Sequence, residues 1–164
     1  MKTRKISRRD VLKLAGAASA LGVVGVPLEA FAAESDDERR LFIGFDLHFT
    51  GPSSTAGIFV MSGQLEDSGT STVSSISTVP VGRVSGDQQF VGQKGTIFTH
   101  FDGVAFPNNS PHQVGDGRFK ILSGTSAYAG VRGGGSFLIV VDALSNQLIG
   151  TETGSVETPG EGRV

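Results

Sequence analysis

From residue 41 onward no stretch sustains the helical period of 3.6, and residues 41–49 open the region with an apolar residue at every second position. That pattern commits this part of the chain to β-sheet. Leu41, Ile43, Phe45, Leu47 and Phe49 fall on one face, and Phe42, Gly44, Asp46 and His48 on the other. Further strands are predicted over Ala56–Glu66, Thr70–Val84 with a break at Pro80, Gln89–Phe101, Gly117–Leu122, Gly134–Val141 and Gln147–Val156. Turns are read at Gly51-Pro52-Ser53-Ser54 and Asp67-Ser68-Gly69, and a loop from Asp102 to Asp116 around Pro107-Asn108-Asn109-Ser110-Pro111. Seven or eight strands at this spacing make a sandwich or a closed barrel. Gly44, Gly57, Gly63, Gly92, Gly95 and Gly133-Gly134-Gly135 all sit in or beside strands. Glycine weakens a strand unless it relieves a corner, so the repeated corners favour a barrel and an all-β fold.

The N-terminus carries an export address. Ser7-Arg8-Arg9-Asp10-Val11-Leu12-Lys13 has the form of a twin-arginine signal. The Ala- and Gly-rich run from Leu14 to Val26 would span about 20 Å as a helix, short of the roughly 30 Å hydrocarbon core. It is a signal segment and not an anchor. Ala30-Phe31-Ala32 is a small-residue cleavage box. The organisation read from this is a signal peptide over 1–32, an acidic linker over 33–40, one β domain over 41–157 and a disordered tail over 158–164. The protein is expected to be periplasmic or extracellular.

Removing the leader changes the charge. Six of the 14 Lys and Arg lie in it (Lys2, Arg4, Lys5, Arg8, Arg9, Lys13), against Asp10 and Glu29. The remainder holds eight bases and fourteen acids, a net charge of −6. Binding a phosphate backbone needs clustered Lys and Arg, so nucleic acid is not an expected partner. Cysteine is absent, which excludes disulfides, thiolate metal sites, iron–sulfur clusters, covalent haem and a thiol nucleophile. Neither a cofactor nor a metal is expected. The domain must hold itself together by packing.

Two segments carry a family resemblance. Gly117-Arg118-Phe119-Lys120-Ile121-Leu122-Ser123-Gly124-Thr125-Ser126-Ala127-Tyr128-Ala129-Gly130-Val131-Arg132-Gly133 runs from a strand through a small-residue turn into Arg-Gly and the next strand. With Ile58-Phe59-Val60-Met61-Ser62-Gly63-Gln64-Leu65-Glu66-Asp67-Ser68-Gly69 it resembles the allene oxide cyclase and dirigent barrel group. The resemblance implies an eight-stranded antiparallel, calycin-like barrel, often trimeric, with an apolar cavity. Its plant members cyclise an unstable fatty-acid epoxide or orient phenoxy radicals for coupling. The plant cyclases carry a glutamate on the first strand, where this chain offers only Asp46 and His48.

The candidate catalytic residues are therefore Asp46, His48 and His100, with an acid–base pair of the two histidines requiring their strands to face each other. Candidate ligand-binding residues are Ile43, Phe45, Leu47, Phe49, Tyr128 and Arg132, with Tyr128 over a barrel end and Arg118 or Arg132 placed to meet an anionic group. The histidines lack zinc-site spacing, no Gly-x-Ser-x-Gly elbow surrounds any serine, and no Lys-Ser/Thr follows the glycine runs. The leading expectation is a non-enzymatic, homo-oligomeric barrel that binds or guides a small apolar molecule. The alternatives are an isomerase of the allene oxide cyclase type and a structural envelope protein with a filled core. A dry cavity of several hundred Å³ favours the first two, and an interior filled by Phe and Leu favours the third.

Overall fold

The computed structural model describes residues 40–77, 82–106 and 112–159. Eight strands run in chain order as β1 (Arg40–Gly51), β2 (Ser54–Gly63), β3 (Asp67–Ser77), β4 (Arg83–Gly92), β5 (Thr96–Phe106), β6 (His112–Gly124), β7 (Arg132–Asp142) and β8 (Gln147–Glu157). Each pairs antiparallel with the next, and β8 returns to β1, so the sheet is a closed antiparallel barrel. Closure leaves no strand edge unpaired. A single 3-10 turn, Ser126–Tyr128, is the one helical element among the described residues.

Several boundaries differ from the sequence reading. Asp67-Ser68-Gly69 opens β3, and the turn before it is Gln64–Glu66. The span Gln89–Phe101 is two strands joined at Gln93–Gly95, which leaves Val91 on the outer face. Asp102 and Asp116 belong to strands β5 and β6 and do not flank a turn. Arg40, read as the end of the acidic linker, already belongs to β1; Pro80, the Pro-Asn-Asn-Ser-Pro stretch, the rest of the linker, the leader and the last five residues lie outside the described residues.

Small and large residues alternate across the barrel interior. Phe45, Phe59, Phe101, Phe119 and Phe137 stand directly opposite Gly150, Gly69, Gly86, Gly135 and Gly117 on neighbouring strands. A Cβ on Gly150 would strike the ring of Phe45, and one on Gly86 the ring of Phe101. An eight-stranded barrel is only just wide enough to be filled by side chains. Gly86, Gly117 and Gly150 therefore make room for the rings of Phe101, Phe137 and Phe45. Phe59 meets Phe90 edge-on at 5.2 Å and Phe101 meets Phe137 at 5.6 Å between ring centres. Burying each ring contributes about 1.5–3 kcal/mol.

The two ends of the barrel differ. One end, where β2–β3, β4–β5 and β6–β7 connect, is plugged by buried Leu65, Tyr128, Val131 and Val156. Asp67 ties this plug together. Its Oδ2 accepts from the Tyr128 hydroxyl at 2.7 Å and the Lys94 amide at 3.0 Å, and its Oδ1 from the amides of Ser68 and Gln93 at 2.8 and 3.0 Å. At the other end Phe49, Ile76, Ala105 and Val141 are only partly buried. There β3 carries a bulge between Ser74 and Ser77, with Ser75 at a φ of 59°. Bulges at a barrel rim re-aim side chains.

Candidate functional site

Strand β8 alternates Leu148, Gly150, Glu152, Gly154 and Val156 inward with Ile149, Thr151, Thr153 and Ser155 outward. The inward phase carries one acid into the interior. Glu152 is 1 % exposed and lies in register between Ile43 on β1 and Phe137 on β7. Its Oε2 has no hydrogen-bond partner. Burial in these apolar surroundings pushes its carboxyl up to about 8, so at neutral pH it is mostly protonated and its O–H is a donor. An unpaired buried polar group costs free energy, and few native ones are left so without a reason.

Glu152 faces a small internal space. Phe45, Val73, Ile76, Val84, Gln88, Phe101, Phe137, Ile139 and Leu148 complete its wall. The wall runs from the middle of the barrel toward the partly buried residues of the unplugged end, forming an apolar cup with Glu152 and Gln88 as its polar groups. The room open to the centres of water-sized molecules is about 30 Å³, enough for about two waters. A pocket for a drug-sized ligand is roughly 300 Å³ or more. Gln88 sits four strands from Glu152 around the barrel, and its Nε2 donates to Ser71 Oγ at 2.9 Å. Thr55 and Thr99, both buried, also have Oγ1 atoms without partners. Thr55 and Gln88 lie opposite Val73, and Thr99 lies opposite Gln88, so these polar residues share one side of the interior.

The residues singled out from sequence divide into three groups. Ile43, Phe45 and Leu47 are buried in the interior and Phe49 is partly buried at the unplugged end, but only Phe45 touches the cup. Tyr128 covers the far, plugged end, where burial and then its bond to the Asp67 carboxylate hold its hydroxyl far above the usual phenol range. Arg132 is exposed at the start of β7. Asp46, His48 and His100 all point outward. Asp46 Oδ1 accepts from Gln147 Nε2 at 2.7 Å, while His100 Nδ1 pairs with Asp87 Oδ1 at 2.8 Å. His48 on β1 and His100 on β5 sit half the barrel apart, so they form no acid–base pair. Arg118 and Lys120 border a hollow on the outer surface above Gly133–Gly135, and neither reaches the interior. No group of three His, Cys, Asp or Glu among the described residues could hold a metal ion.

Sequence reading missed Glu152 and Gln88, although the signal for Glu152 was present. Extending the period of two through Leu148, Gly150, Gly154 and Val156 puts Glu152 on the apolar phase.

Residues 5–25 match the twin-arginine translocation pathway signal sequence. The protein is therefore a β-barrel exported through the twin-arginine machinery to the periplasm or beyond. No helix among the described residues is long and apolar enough to cross a membrane. Neither the curated proteins nor the solved structures contain a match to the chain.

Proposed function

We propose that this exported barrel binds a small, largely apolar molecule in the cup at its unplugged end and does no strong chemistry on it. The observation that carries the reading is Glu152, a fully buried carboxyl with an unpartnered oxygen facing the internal space. A carboxyl there costs stability, and a bound molecule that meets it offsets that cost. Because the space is only about 30 Å³, binding requires Ile76, Val84 and Leu148 at the mouth to move outward. The resemblance to the allene oxide cyclase and dirigent group supports a cavity function, but an eight-stranded closed barrel is common to many families. Kinship with that group is thus part of the proposal, as is homo-oligomer assembly, a trimer by the same resemblance. The isomerase alternative draws on the same carboxyl, now as the single acid of the cup.

A second reading has its own observation. Rings and glycines fill the interior so closely that a purely structural barrel explains most of it. Titration of the exported protein with a fluorescent apolar naphthylamine separates the two. A saturable signal that is lost in Ile139→Trp, which fills the cup, supports binding. A wild-type protein that gives no saturable signal is the filled scaffold.

A further inference from the structure

The chemistry of the cup restricts what its occupant can carry. Around Glu152 stand Ile43, Phe137, Phe45, Ile139 and Leu148, none of them able to hydrogen-bond through its side chain. Every Lys and Arg among the described residues is exposed, so no cation is available inside to compensate an anionic head. A carboxylate or phosphate placed beside Glu152 would be a buried, unpaired charge next to a second acid. An ammonium head brings three donors to a site whose polar wall is Glu152 and Gln88 alone. The free space at the carboxyl also admits only a small group.

We propose that the cup selects an apolar molecule bearing one uncharged hydrogen-bond-accepting oxygen, such as a ketone, aldehyde or ester carbonyl, and that the Glu152 carboxyl donates its O–H to that oxygen. The apolar body of the ligand lies along Ile76, Val84 and Leu148 toward the mouth. This inference rests on the reading of the cup as a binding site and adds the class of head group. The raised carboxyl supports it, because the donor proton is then in place at neutral pH. Without such an acceptor the carboxyl stays unpartnered or holds ordered water.

The test uses the exported protein near neutral pH and four probes with the same alkyl chain: methyl decanoate, decanoate, decylamine and decane. Binding is followed by calorimetry and by the NMR signals of the Glu152 carboxyl and the cup methyls. Methyl decanoate is expected to bind about tenfold more tightly than decane or decanoate, the effect of one buried hydrogen bond, and to shift the Glu152 signal. Glu152→Leu is expected to erase that preference while still binding decane. Glu152→Gln, whose amide also donates, is expected to keep most of it. If decane binds as well as the ester, or decylamine binds best, the head-group assignment is wrong and the cup reading survives. If no probe perturbs the cup, both fall. Should Glu152→Leu not fold, the ranking of the four probes on the wild-type protein decides the matter alone.

Discussion

Two acids, the half-buried Asp67 at the plugged end and the fully buried Glu152 at the foot of the cup, are held in opposite ways. Asp67, in the plugged end, is pulled up by burial but receives bonds from Tyr128, Lys94, Ser68 and Gln93 that outweigh this and hold it below the ordinary Asp range. Glu152, at the foot of the cup, is pushed up by burial with nothing to oppose it. The first is wired for stability, because every donor around it is satisfied by one carboxylate. The second costs stability with no bond to offset it, at the place where the proposed ligand would sit. A completed network stabilises and an open polar group does not, and the proposed binding at the cup builds on that difference.

The largest effect that can break the comparison is in the pH dependence of stability. Between pH 4.5 and 8 the folded protein retains a Glu152 proton that the unfolded chain has released. Stability therefore falls as pH rises through that window, by on the order of 5 kcal/mol, and levels off above it. Glu152→Gln is expected to remove this slope in denaturant titrations and to be the more stable protein above pH 8. Asp67 works in the other direction, its contribution being present above 3.8 and lost as pH falls through its lowered value.

Next in size, Asp67→Ala leaves the Tyr128 hydroxyl and three amides without an acceptor. A loss of about 3 kcal/mol is expected in chemical unfolding, with ligand binding at the far cup retained. Gly150→Ala drives a methyl into the Phe45 ring and is expected to cost about 2 kcal/mol and to weaken ligand binding, since Phe45 lines the cup. The smallest change is Tyr128→Phe, which removes one bond to a carboxylate. About 1.5 kcal/mol is expected, again without effect on the cup. A Tyr128→Phe protein that lost binding would show that the two ends are not separable.

How legible each end was in the sequence follows from how local its signals are. The β1 face Leu41 to Phe49 was readable because alternation alone fixes it. The β4–β5 turn was not, since the amides of Gln93 and Lys94 are held by Asp67, 26 and 27 residues away. Pro107-Asn108-Asn109-Ser110-Pro111 marks a loop by composition, but the span read from Asp102 to Asp116 takes in the end of β5 and the start of β6. In the barrel Gly103 and Gly117 lie under the Phe137 ring and Gly115 under Ile139. Asp46, His48 and His100 drew notice as reactive types, whereas the buried acid is told apart only by its phase on β8. The filled interior could not be read from any one strand, because each Phe–Gly pair joins two.

The measurement closest to the central claim is a carbon NMR titration of the Glu152 side-chain carboxyl in the exported protein. A carboxyl that is buried, protonated and unpartnered is expected to titrate at about 8 and to change its signal when methyl decanoate is added. Titration near 4.5, the ordinary Glu value, with no response to the ester, would contradict the account.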